Sequence, residues 1–173
     1  MVLMEDRDEL RISLRNHIDA LLSSLFFAVL FTAVIVWERF DRTAIIIFSI
    51  LYLIDLVPAL ILHIEYWIQN QGQKVLINEN ELIIKNKSEE RVITTKEIRK
   101  ITMHQTPSHS QDSNMRFMTI GSYYFAHVIL RNGEDLILTS LLSPRLKASL
   151  RKLKGVYFDE DVSLYNNLYR AID

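Results

Sequence analysis

Hydropathy along the chain divides it into a greasy N-terminal third and a polar remainder patterned in short extended runs. Two nearly uncharged stretches, residues 20–37 and 43–64, are separated only by Glu38, Arg39, Phe40, Asp41 and Arg42. As helices they would reach about 27 and 33 Å, close to the ~30 Å hydrocarbon core of a bilayer. The pattern predicts a transmembrane helical hairpin over residues 20–68. So short a link permits only a tight return, which puts both chain ends on one side. Ahead of it, in residues 1–19, Leu10, Leu14 and Ile18 recur at every fourth position beside Arg7, Arg11 and Arg15. That spacing predicts an amphipathic juxtamembrane helix.

After the polar hinge Gln69-Asn70-Gln71-Gly72-Gln73 the helical period stops. Residues 74–78, 81–86 and 90–95 are rich in Ile, Leu, Val and Thr, with Asn-Glu-Asn and Lys-Ser-Glu between them, and read as strands joined by tight turns. Further runs at 98–105, 115–120, 123–130 and 135–140 complete a set of seven, the last pair joined by the hairpin signal Asn132-Gly133. Ser143-Pro144 then opens a helix with Leu146, Leu150 and Leu153 on one face, predicted to cap the sheets. This domain is bounded at 74–155. In the tail, 156–173, Leu164, Leu168 and Ile172 with Tyr165 and Tyr169 predict a second short helix, packed on the barrel or docked to another subunit.

The strand signals Val75-Leu76-Ile77-Asn78-Glu79-Asn80-Glu81-Leu82-Ile83-Ile84 and Arg91-Val92-Ile93-Thr94-Thr95-Lys96-Glu97-Ile98, placed behind two spans, carry a resemblance. The chain resembles the bacterial PH-like domains. The resemblance implies an α+β membrane protein: a two-helix transmembrane hairpin followed by a PH-like seven-stranded antiparallel barrel or sandwich with a C-terminal helix. It also implies binding of lipid or protein, or scaffolding. Inositol-phosphate-binding relatives place Lys and Arg at the first strand turn, where this chain has Glu79 and Glu81, whose carboxylates repel phosphate.

Charge orients the hairpin. Arg7, Arg11, Arg15 and Lys74 flank its open end against Arg39 and Arg42 at its turn, so the positive-inside rule places both termini in the cytoplasm, and the resemblance implies that the membrane is a bacterial inner membrane. Trp37 and Phe40 fall at one interface and Tyr66 and Trp67 at the other. No small-residue cleavage site follows the first apolar stretch, so a cleaved signal peptide is not expected. The net charge of −1 and the lack of an aromatic platform argue against nucleic acid. With no cysteine and four glycines, thiol chemistry and a phosphate-cradling loop have no materials. No cofactor and no enzymatic activity are expected.

Asp55 is the one acidic residue deep in a span, where an ionised carboxylate costs about 2.5–3.5 kcal/mol. Folding the hairpin about residue 40 sets it level with Ser23 and Ser24, and Pro58 frees a carbonyl one turn back. Asp55 then either fastens the hairpin, meets another protomer, or belongs to an ion or proton path. A basic strip of Arg145, Lys147, Arg151, Lys152 and Lys154 is either a solvated helix face or a contact for anionic headgroups. The polar loop after His104, with Pro107, Ser108, His109, Gln111 and Asp112, reads as a mobile partner loop; a metal or Ser-His-Asp site there lacks a supporting shell. His17, His63 and His127 read as structural. The expectation is an adaptor or structural subunit at the membrane, in contact with lipid and with a protein partner or further copies of itself. An ion-pathway subunit and a lipid sensor are the alternatives.

Overall fold

In the computed structural model, residues 7–37, 39, 41–86, 89–107 and 118–171 are described. The chain begins with a strand. Asp8–Arg11 (β1) precedes two long helices, Leu14–Trp37 (α1) and Arg42–Asn70 (α2). The strands Lys74–Ile77 (β2), Glu81–Lys85 (β3), Glu90–Thr94 (β4), Ile98–Gln105 (β5), Phe125–Leu130 (β6) and Asp135–Thr139 (β7) follow. A short helix, Leu146–Leu150 (α3), and a last strand, Phe158–Val162 (β8), complete the order, with 3-10 turns at Thr119–Ser122 and Leu168–Ala171.

β1 pairs antiparallel with β2 in the register Arg11 opposite Lys74 and Asp8 opposite Ile77. The helical hairpin is thus an insertion between two paired strands, and its ends are held on one side by sheet hydrogen bonds as well as by the short turn. Residues 8–11, expected in an amphipathic helix, are extended, and the fourth-residue recurrence of Leu10, Leu14 and Ile18 has another basis. Leu10 faces the sandwich core at 4% exposure, whereas Leu14 and Ile18 lie uncovered on α1. Ser13 starts that helix, its Oγ accepting from the Asn16 amide at 3.3 Å.

Two four-stranded sheets form, ordered β1-β2-β3-β4 and β7-β6-β5-β8. In place of the seven antiparallel strands expected, the described residues form eight, with a parallel pairing of β5 to β8; residues 115–117 of the expected fifth strand lie outside the described residues. β8 occupies the acidic tail, where Asp159, Glu160 and Asp161 find cations or a histidine: Lys100 at 2.7 Å, Lys147 at 3.0 Å and His104 at 2.9 Å. The tail helix expected over 163–172 is confined to the 3-10 turn Leu168–Ala171. At the predicted β6–β7 hairpin, Gly133 adopts φ 90°, which the turn requires and a side chain disfavours.

Sheet pleating sorts the side chains into two cores. Val75, Ile77, Leu82 and Ile93 meet Ile101, Met103, Val128 and Leu138 between the sheets, with Leu146, Leu150 and Leu153 closing one side. On the opposite face of the second sheet, Phe125 packs with Tyr123, Leu141, Leu168 and the helical residues Ala59, Leu62 and Tyr66. That sheet is therefore covered on both faces, by its partner sheet and by the foot of the hairpin.

Both helices are long and apolar enough to cross a membrane, and only 11% of each apolar stretch is buried. A core helix of a soluble domain would be mostly covered. The covered positions of α2 are Asp55, Ala59, Leu62, Tyr66 and Asn70, spaced by three or four along one face, and those of α1 are Ala20 and Ser24. α2 continues as one helix through Pro58.

Candidate functional site at the foot of the hairpin

Several polar side chains on the covered face of the hairpin, Asn16, Asp55, His63, Tyr66 and Asn70, meet polar groups of the sheet domain or the C-terminal segment. Asn16, near the start of α1, donates from Nδ2 to the carbonyls of Leu141 at 2.8 Å and Leu142 at 2.9 Å. Asn70, at the end of α2 and wholly buried, accepts from the Thr139 amide at 2.8 Å and donates to the Ile137 carbonyl at 3.0 Å. Its amide thus completes the ladder of β7 in place of a further strand. Tyr66 donates to the Asn166 carbonyl at 2.6 Å, which draws the C-terminal segment across the helix. An unpaired group at any of these positions would cost about 1–3 kcal/mol, so the contacts set the domain's register on the hairpin.

His63 spends both ring nitrogens in this interface. Nε2 lies 2.8 Å from Nδ1 of His17 on α1, and Nδ1 lies 2.9 Å from the Tyr123 hydroxyl. The two histidines thereby join both helices to Tyr123, between the 3-10 turn and β6. The roles expected for them individually converge in one chain of hydrogen bonds.

Asp55 meets the 3-10 turn itself. Its Oδ1 accepts from the Thr119 amide at 2.9 Å and its Oδ2 from the Thr119 hydroxyl at 2.5 Å. Thr119 is fully buried. The partner expected for Asp55 was a serine of α1; its observed partner comes from the sheet domain, while Ser24 donates to the Tyr52 hydroxyl at 3.3 Å. Residues 119–120, expected to end a strand, instead begin the 3-10 turn that carries this threonine. No sequence pattern pairs a threonine with a carboxylate 64 positions earlier in the chain. The signal that was available was the cost of Asp55 itself, which demands a partner without naming it.

The basic strip is largely consumed by ion pairs. Lys147 and Arg151 reach Glu160 at 3.0 and 2.8 Å, Lys152 reaches Asp8 at 2.8 Å, and Lys154 pairs with Glu79. The Lys152 hydrogen bond holds the Asp8 carboxyl below its usual range against the effect of burial. Burial raises Glu160, but Lys147 and Arg151 outweigh it and hold that carboxyl low as well. Arg145 is exposed beside this group. The Lys154–Glu79 pair also shows that the acidic first strand turn is met from within the domain.

Pro107 ends the described part of the polar loop, and Ser108, His109, Gln111 and Asp112 lie outside the described residues. His104 stacks on Phe125 with ring centroids 4.4 Å apart and bonds Asp161, so its ring is engaged within the sheet. Among the described residues no group of three His, Cys, Asp or Glu side chains is placed to hold a metal ion. The junction as built can hold two elements in fixed relation.

No curated protein and no solved structure matches the chain. The family model described as a PH domain matches residues 8–149, a span that starts at β1, contains the hairpin and ends in α3. With most of its length matched, from the strand before the hairpin to the helix after the sheets, the chain belongs to the PH domain family.

Proposed function

We propose that this protein is a membrane-anchored PH-domain adaptor or structural subunit that holds a protein partner at the cytoplasmic surface of a bacterial inner membrane. PH domains bind lipids or proteins, and the reading narrows that general role to protein binding next to lipid. The observation that supports it is the uncovered apolar side of a hairpin inserted between β1 and β2, with Ile46, Ile50, Leu53, Val57, Ile61, Ile64 and Ile68 all exposed along α2. At ~25 cal/mol per Å² such a surface is costly in water and favourable in hydrocarbon.

Both termini lie on the cytoplasmic side in this reading, as the Lys and Arg bias requires. Anchoring confines the domain to a thin layer at the bilayer, which raises its effective concentration for a partner in the same membrane. The partner surface is the cleft remote from the hairpin, between β4 and the β4–β5 and β6–β7 turns, lined by Arg91, Val92, Lys96, Glu97, Arg131 and Asn132. The protein binds and does not catalyse. Engagement of both Asp55 oxygens by Thr119 favours a fastening role over an ion pathway, and the ion-paired basic strip favours protein over headgroup recognition.

Purification from native membranes in mild detergent tests the proposal. The chain is expected to co-elute with a second protein at fixed stoichiometry, and Val92→Glu in the remote cleft is expected to release that protein without releasing the chain from the membrane. A chain that elutes alone in every mild detergent, or that alkaline carbonate washes off the membrane, contradicts the proposal.

A further inference from the structure

We infer that the 3-10 turn at Thr119–Ser122 is a re-entrant element lying inside the lipid bilayer, so that the PH domain is seated partly in the membrane and touches acyl chains directly. The inference rests on the anchoring proposed above and adds to it the depth of the domain.

Helix length sets the depth of the turn. The charged turn residues Arg39, Asp41 and Arg42 must reach the far headgroups, because each charge left in hydrocarbon costs about 2.5–3.5 kcal/mol. From Arg42, a 30 Å core takes up about 20 residues of helix and ends near residue 62. Asp55 then lies about 20 Å from the turn end and about 10 Å inside the near boundary. Since Thr119 is bonded twice to Asp55, it lies at the same depth. Had the domain sat wholly in water, the free part of the hairpin, residues 25–37 and 42–54, would supply only about 20 Å of helix, short of a crossing.

Much of the turn's backbone is satisfied inside the protein, as hydrocarbon demands of non-helical backbone. The Thr119 amide is taken by Asp55, the Gly121 amide by the Met118 carbonyl at 2.9 Å and the Tyr123 amide by the Ile120 carbonyl at 3.1 Å. The Gly121 carbonyl accepts from Thr106 at 3.3 Å and the Ser122 carbonyl from Ser140 at 3.2 Å. On this account a carboxylate stands in the span to satisfy the start of a turn that water does not reach.

The exposed side chains agree. Outside the hairpin, the large apolar residues exposed among those described are Val92, Met118, Tyr157, Val162, Leu164 and Tyr169. Four of the six gather at the hairpin end. Met118 stands beside Asp55 over an apolar groove lined by Phe27, Phe31, Leu51 and Ile54, a shape that fits an acyl chain. Val162 ends β8 level with Gln105, Leu164 follows it, and Tyr169 lies against Ile68 and Gln69 at the foot of α2, the height of the near interface. Val92 and Tyr157 lie toward the opposite end of the sandwich.

The chain has no cysteine, which makes the test direct. Single variants Met118→Cys, Leu164→Cys and Val92→Cys of the full chain are labelled with an environment-sensitive fluorophore and reconstituted in phosphatidylcholine–phosphatidylglycerol vesicles containing nitroxide-labelled acyl chains. The inference expects blue-shifted emission at 118, several-fold quenching by lipid nitroxide at 118, weaker quenching at 164, and quenching by aqueous iodide alone at 92. Iodide quenching at 118 equal to that at 92, in a chain that still resists carbonate, overturns the inference and leaves the anchor standing. Release by carbonate overturns the anchor as well. Emission that is blue-shifted but insensitive to lipid nitroxide, with energy transfer between labelled copies, would show a second copy of the chain over this face and also overturns the inference.

Discussion

The two halves of the hairpin are both rich in large apolar residues but differ in polar content and in what covers them. The foot, residues 14–24 of α1 and 55–70 of α2, presents Asn16, Asp55, His63, Tyr66 and Asn70 to the sheet domain and the C-terminal segment, each with a partner, and His17 joins them through His63. The tip, residues 25–37 and 42–54, has no buried residue among those described and is held chiefly by ring contacts such as Phe31 on Phe48, 5.2 Å apart. Hydrophobicity alone would make one continuous anchor of them. The polar residues mark where the uncovered apolar surface ends and the joint begins.

Substitutions can separate these two regions. The largest effect is expected at the tip, where Ile50→Lys should cost insertion about 2.5–3.5 kcal/mol and make the chain extractable by carbonate. The melting temperature of the domain in detergent should hardly change. At the foot the pattern inverts. Asn70→Ala leaves the Thr139 amide and the Ile137 carbonyl without their partner and should cost about 2–3 kcal/mol of stability, read by thermal melting in detergent, with membrane retention intact. Thr119→Val removes the hydroxyl that Asp55 accepts from but keeps the amide, so about 1–2 kcal/mol is expected in the same assay.

The smallest effect belongs to β1, the strand that makes the hairpin an insertion. Asp8 is held below its usual pKa by Lys152, so this contribution is complete above about pH 4 and is lost as the pH falls through the folded value. Asp8→Asn should lower stability by a few tenths of a kcal/mol at neutral pH, as for a partly exposed pair, and flatten the acid limb of stability against pH. An acid limb that stays unchanged in the variant would place the pair outside the folding equilibrium.

Much of the architecture was legible because it rests on local signals. The two long apolar helices, the strands β2 to β4 and the Asn132-Gly133 turn follow from apolar runs and turn residues that need no distant partner. β1 was not legible, since a four-residue strand whose partner begins at Lys74 has no period of its own, and Leu10 fell into step with the helix beyond it. β8 hid for a different reason. Asp159, Glu160 and Asp161 look like solvated tail, and only the cations and the histidine opposite them make an edge strand of that sequence. The joint was half legible: Asp55 declared a need for a partner, but Thr119, on a turn brought over by the folded domain, could be found only in three dimensions.

The central claim, that a hairpin set between the first two strands of a PH domain crosses the membrane and leaves the domain on one side, is tested most directly by accessibility in intact cells. Thr43 at the tip and Lys96 at the remote end of the sandwich are both exposed, and the cysteine-free chain gives no background. With a membrane-impermeant maleimide, Thr43→Cys should be labelled from outside, while Lys96→Cys should be labelled only after permeabilisation. Labelling of both positions from outside, or of neither until the cells are opened, would contradict the account.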